Sequence, residues 1–440
     1  MAVLGYDRAS EKQSPVAQLA QDYLRADHME KFLSNLLHEQ LKDLPRVFLV
    51  KKIEKKIEDA GVTKNVTEIA EALSKHLLSG GKGDFNWDDG SNAHKSIDLT
   101  FTEKDTEDIE KSVKSFLKDD LPDILTSTVS EIASNQLKTA KKEWPQYHIW
   151  ERGQHQIFKD NLELRWGKGL NLLRLLLSET LQIGQLKLDA LLRSKAKKNI
   201  RKREVLLMLH LRAAQTTAEI ITLIENGYAD GAMARWRTLY ELRIVAGLVE
   251  KFGDEIAVKY LDHEHVTTKR EMDNEIRHSG SEDIDPDHVK VVNDNFAEVI
   301  NLYGNSFASP YGWAAETLNK KKPTFQDLEI SVGLPELPPN YKMASYRVHA
   351  GVAGLVSGLG ILGEGTIPIA GASNAGLQMP AINTAYTLVQ FTGLLFGNLN
   401  RMADQLHVAA IVKLRDEIET EFVKAARKLE RDEMKIQRSS

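Results

Sequence analysis

The chain contains no cysteine. That absence removes disulfides, thiol nucleophiles and thiolate zinc sites together. Long apolar runs are missing as well: no uninterrupted stretch reaches the roughly 20 residues a membrane-spanning helix needs, and the first residues, Met1 to Arg8, lack the apolar segment of a secretory signal. The expected location is the cytoplasm, with no membrane partner. Charge of one sign is lacking too, because 58 basic and 63 acidic residues leave a formal net charge of −5. No global attraction for nucleic acid follows, only the chance of a local basic patch. Proline is scarce, at 12 in 440 residues, which leaves room for long helices.

What is present is helical. Two apolar segments, Val205 to Ile224 and Ala232 to Phe252, flank Asn226-Gly227, a dipeptide suited to the left-handed backbone that ends a helix. They predict a helical hairpin with Asp230 as the cap of its second arm. Arg212, Gln215, Glu219 and Thr222 form one polar stripe on the first arm, and Arg237 and Glu241 stand one turn apart on the second. The stripe is compatible with a solvated face, a buried network or a polar cleft.

The expected fold class is all-α, a multi-helix bundle with a smaller, mostly helical N-terminal domain that contains one short β ribbon. Residues 1–22 read as a flexible N-terminus and 23–150 as the N-terminal domain. Ile97, Leu99 and Phe101 alternate with polar residues there, as a ribbon would. Pro145 amid Trp144, Tyr147 and Trp150 marks the boundary. Residues 151–436 form the helical core domain, in which 303–339, rich in Gly, Pro and Asn, reads as a long irregular loop, and 437–440 are a tail.

Several motifs invite chemistry and fail on spacing. Asp262, His263 and His265 sit too close on a helix to chelate one metal. The stretch from Asp84 to Gly90 resembles the start of a calcium loop, but its glycine comes one place late and Lys95 occupies the position of the bidentate glutamate. Ser79 to Gly83 lacks the rest of a phosphate loop. No cofactor is expected. The basic run from Arg193 to Arg203 is the best nucleic-acid candidate, with Arg201, Lys202 and Arg203 as its contacts, although basic connectors between helices are usually only solvated.

With Gly231-Ala232, then Arg237-Thr-Leu-Tyr-Glu241, then Tyr341, Ser345 and His349 at helical spacing, residues 200 to 360 resemble a bacterial family catalogued as a domain of unknown function, five-six-seven-seven. Thr238 and Tyr240 depart mildly from its pattern. The resemblance implies a helical core similar in style to the HEPN ribonucleases and a place among bacterial defence or toxin-type genes, antiphage defence included. It implies a catalytic set of Arg237, Glu241, Tyr341, Ser345 and His349, with arginine stabilising phosphate charge and histidine moving protons. The usual arrangement puts an arginine and a histidine one to two turns apart on one helix; Arg347 and His349 are too close, and Arg270 and His278 too far apart. The set therefore depends on residues from different helices or subunits, and a homo-oligomer is expected. Two functions remain: a metal-independent ribonuclease whose partner is RNA, or a non-catalytic helical module that binds a protein through its N-terminal domain and the 303–339 loop.

Overall fold

The computed structural model describes residues 41–81, 84–87, 98–195, 198–279, 285–333, 338–348, 352, 354, 358–360 and 371–439. Two compact units divide the chain between Gly153 and Gln154. All regular structure among the described residues is helical.

In the first unit, α1 (residues 41–59) and α2 (Val66–Leu78) enclose a small core of Ile53, Ile57, Ala70 and Leu73. The expected ribbon is absent here. Residues 98–102 are irregular, Ile97 lies outside the described residues, and Leu99 and Phe101 pack onto that core instead. A strand needs a second strand for its backbone groups. This segment meets helices, and the Thr100 carbonyl accepts from Lys56 Nζ at 2.8 Å. Next, α3 (Glu103–Ser115) opens with a capping box in which Thr102 N–H donates to the Asp105 carboxylate at 2.8 Å. Lys52 and Lys56 bind the same carboxylate at 3.2 and 2.9 Å. A π-helical turn, Phe116–Asp120, then leads into α4, Leu121–Arg193. Pro145 does not break α4. On an exposed stretch, water can take the carbonyl whose bond the proline deletes.

The second unit is built on α5 (Ile200–Glu225) and α6 (Ala229–Phe252), the predicted hairpin. Its turn is a Schellman arrangement: Tyr228 N–H donates to Leu223 O at 2.9 Å and Gly227 N–H to Ile224 O at 3.0 Å, with Gly227 at φ +78°. Asp230 does not cap α6 as expected. It lies inside the first turn, and its carboxylate accepts from the Leu359 amide at 3.0 Å. Around the hairpin stand α7 (Asp254–Asp262), α8 (Glu264–Ser279), α9 (Pro286–Tyr303), α10 (Phe325–Val332), α11 (Pro338–Val348), α12 (Gln378–Leu394) and α13 (Met402–Ser439). α6 is the hub, packed by α5, α10, α11 and α12. Trp236, Leu239, Tyr240, Ile244 and Leu248 on it are fully buried.

The predicted irregular loop 303–339 is largely ordered. Two 3-10 turns, Asn305–Ala308 and Gly312–Ala314, precede α10, and Phe307, Trp313 and Leu328 are buried. Gly304 and Gly333 end α9 and α10, and α10 is too short to show periodicity; its start is a Thr324–Asp327 capping box.

Candidate functional site

Arg237 and Glu241 project from α6 on successive turns toward Tyr341 of α11. Three bonds close the cluster: Arg237 Nε donates to Glu241 Oε1 at 3.0 Å and to the Tyr341 hydroxyl oxygen at 3.2 Å, while that hydroxyl donates to the same Oε1 at 2.6 Å. The guanidinium lies 4.9 Å from the Tyr341 ring centroid, a cation-π distance. The cluster is walled by rings. Tyr341 packs on Tyr240 at 5.2 Å and on Phe325 at 4.9 Å, and Phe325 meets Tyr311 at 6.2 Å. α11 is held in place by buried Ala344 and by Asn340, which donates to Asn383 of α12 at 3.1 Å.

Burial, and then the bond to Glu241, push the Tyr341 phenol well above its ordinary range, so it stays a neutral donor. For Arg237 burial acts to lower the pKa, but the Tyr341 oxygen and the Glu241 carboxylate together outweigh it and hold the guanidinium above its usual value. Glu241 remains open to solvent, its side chain 39% exposed against 24% for Arg237. The arrangement is a charged, partly open recess that presents a fixed cation beside a carboxylate.

The expected set therefore comes together in part. Arg237, Glu241 and Tyr341 meet. Ser345 sits one turn on but its hydroxyl donates back to the Tyr341 carbonyl at 3.2 Å, and His349 lies outside the described residues. Tyr240, whose hydroxyl donates to Glu329 at 2.9 Å, and the rings of Tyr311 and Phe325 were not foreseen, because three of these four residues belong to the supposed loop. On α5, Glu219 pairs with Arg235 across the hairpin, Arg212 bonds Gln215 at 3.0 Å, and Thr222 donates to the Ala218 carbonyl. That stripe is mostly a solvated face.

In the basic run, Lys202 is tied into the fold while Arg201 and Arg203 make local contacts at the surface. Lys202 Nζ reaches the Glu250 carbonyl at 2.6 Å and its carboxylate at 3.1 Å, in the last turn of α6, and Lys202 N–H donates to Asp254 at 2.8 Å. Arg201 pairs with Glu204 at 2.8 Å, and Arg203 donates to the Asn199 carbonyl at 3.2 Å. Asp262 accepts from Tyr303 at 2.6 Å and His263 Nε2 sits 2.9 Å from the Ser309 carbonyl. Among the described residues no group of acidic or histidine side chains is placed to hold a metal.

One cation near the site is anomalous. Arg243, two residues beyond Glu241, is 7% exposed, and its Nε and Nη1 have no hydrogen-bond partner among the described residues. Burial draws its pKa down to about 10. Arg243→Met, which keeps the length and drops the desolvated charge, is expected to raise stability by about 1 kcal/mol; a loss of similar size in urea unfolding would show that the guanidinium is compensated.

Fold and site define an all-helical protein with an arginine–carboxylate–tyrosine recess on its central hairpin. Residues 203–365 match the model of a family described as "Family of unknown function (DUF5677)", a span that includes Arg237, Glu241 and Tyr341 and nothing before Arg203. No curated protein and no solved structure matches the chain.

Proposed function

We propose that the chain is a defence or toxin-type effector that cleaves RNA without a metal, and that the Arg237–Glu241–Tyr341 recess is where it does so. The single observation behind this reading is that a held cation and an accessible carboxylate, one turn apart on α6, are tied together by a tyrosine from α11, a hundred residues on in sequence. Both described bonds to Glu241 fall on Oε1. Its other oxygen is the group to take the proton from a ribose 2′-hydroxyl as that oxygen bonds to phosphorus. Arg237 then stabilises the charge gathering on the phosphoryl oxygens, and His349 supplies the proton to the departing 5′-oxygen. The products are a 2′,3′-cyclic phosphate and a 5′-hydroxyl end.

Purified chain incubated with end-labelled single-stranded RNA in EDTA is the test. Arg237→Ala and Glu241→Gln are each expected to lower cleavage about a hundredfold with unchanged far-UV circular dichroism, and His349→Ala to do the same. Cleavage indifferent to all three, or none by the parent chain, overturns the reading. The second reading, a protein-binding helical module, draws on apolar side chains that α4 exposes before Gly153, among them Val129, Leu137 and Ile149. It predicts capture of a protein partner lost on charge substitution at Leu137 and Ile149, with no nuclease activity.

A further inference from the structure

From Lys138 to Arg152, α4 carries a ladder of four rings: Trp150 meets Tyr147 at 5.8 Å, Tyr147 meets Trp144 at 5.5 Å, and Trp144 lies stacked on His148 at 5.8 Å with 17° between planes. These rings are not core. Trp144 is 54% exposed and His148 is exposed. An indole left in water on a helix is costly apolar surface, and its outward face has no described neighbour to cover it.

Charge is arranged beside the ladder. At 100° per residue, a rotation fixed by roughly 3.6 residues per turn, Lys138, Lys141, Lys142 and Arg152 fall on one flank of Trp144. Glu143 and Glu151 fall on the other, beside Tyr147 and Trp150, with Glu151 Oε2 3.5 Å from His148 Nδ1. All four cations are exposed. Trp144 and His148 are the rings that border the cations, and rings beside cations are what an unpaired strand needs: bases stack on the rings while phosphates track the positive flank. A duplex hides its base faces and cannot use the ladder. An apolar protein partner would be served by the rings but not by cations along one edge.

We infer that residues 138–152 of α4 form a binding face for single-stranded nucleic acid. This does not rest on the ribonuclease reading, since it uses none of the residues of the recess, and it holds whether or not the chain cleaves what it binds. RNA and DNA share the stacking and phosphate chemistry, so the experiment separates them.

Full-length chain carrying Glu241→Gln, to prevent turnover, is titrated into fluorescein-labelled oligouridylate, its deoxy counterpart and a duplex, each of about 12 nucleotides, and read by anisotropy. Single strands are expected to bind with quenching of tryptophan fluorescence, and the duplex to bind at least about tenfold more weakly. Trp144→Ala should weaken binding about tenfold while Trp144→Phe restores most of it. Lys141→Glu with Lys142→Glu should flatten the dependence of log affinity on log salt by about 1.4. Preference for the ribose or the deoxyribose strand assigns the source. Equal binding of duplex and single strand, or affinity unmoved by Trp144→Ala, overturns the proposal, as does a Trp144→Ala effect on sedimentation alone, which would mean that a second copy of the chain covers the ladder. The substituted side chains are exposed, so folding is preserved, and circular dichroism verifies it. Loss of cleavage by Arg237→Ala with binding intact, or binding without any cleavage, tells the two proposals apart.

Discussion

Trp236→Ala is expected to destabilise the 154–440 unit by about 4 kcal/mol, the upper range for emptying a large aromatic from a packed core. Trp236 is fully buried at the centre of α6, packs tilted against Tyr240 at 5.5 Å, and donates its indole N–H to Thr387 Oγ1 of α12 at 2.9 Å. Thr387 donates in turn to the Asn383 carbonyl at 2.7 Å, and Asn383 anchors α11 through Asn340. The alanine variant therefore loses apolar contact, leaves a cavity between α6 and α12, and loosens the chain of bonds that seats Tyr341. Urea unfolding followed by circular dichroism measures the loss. A change below about 1 kcal/mol, within what a collapsing site could absorb, would mean that this helix pair is not the core of the unit. Trp236→Phe, which keeps most of the volume, should cost less than half as much.

The second large effect depends on pH. His210 is 1% exposed, packed against Gly184 and 5.8 Å from the Phe391 ring, with Nε2 3.2 Å from Thr392 Oγ1. The Thr392 hydroxyl spends its proton on the Leu388 carbonyl at 2.9 Å, so its oxygen accepts from Nε2–H. Nδ1 is then the bare nitrogen, and it has no partner among the described residues. A second proton would create a buried cation with nothing to receive it, and burial accordingly lowers the pKa from 6.5 to about 4. Between those values the unfolded chain binds a proton that the folded chain refuses. Stability is complete above pH 6.5, falls as pH drops through that window, and is lower by about 3 kcal/mol at pH 4, taking 1.36 kcal/mol per unit. His210→Phe should remove this slope. A variant whose unfolding free energy follows pH as steeply as the parent's, once the shared carboxylate contribution is subtracted, would show that the imidazole is not the group responsible.

Much of the helical architecture was legible in the residues. Apolar spacing located the hairpin, and Asn226-Gly227 located its turn to the residue, because a left-handed helix end tolerates few side chains. Two misreadings have physical causes. Period-two alternation at Leu99 and Phe101 records which side chains are buried, not whether a second strand exists to pair with. The turn residues of 303–339 hid α10, whose eight residues are too few for a helical period to declare itself. Within the basic run 201–203, Lys202 is engaged in closing the end of α6, which its charge alone did not announce. Charge counted along a chain says nothing of carbonyls brought near it by folding.

The recess divides the same way. Four-residue spacing alone places Arg237 beside Glu241, and Tyr341 on the same face as Ser345, since helical geometry is local. That Tyr341 should reach Glu241 at 2.6 Å while Ser345 turns back to its own helix depends on how α11 is laid against α6, which is set by the packing of Ala344, Phe325 and Tyr240 and by the Asn340–Asn383 bond. Local sequence determines which groups share a helix face. Only tertiary packing decides which faces meet, because that choice is made by shape and burial among residues far apart in the chain.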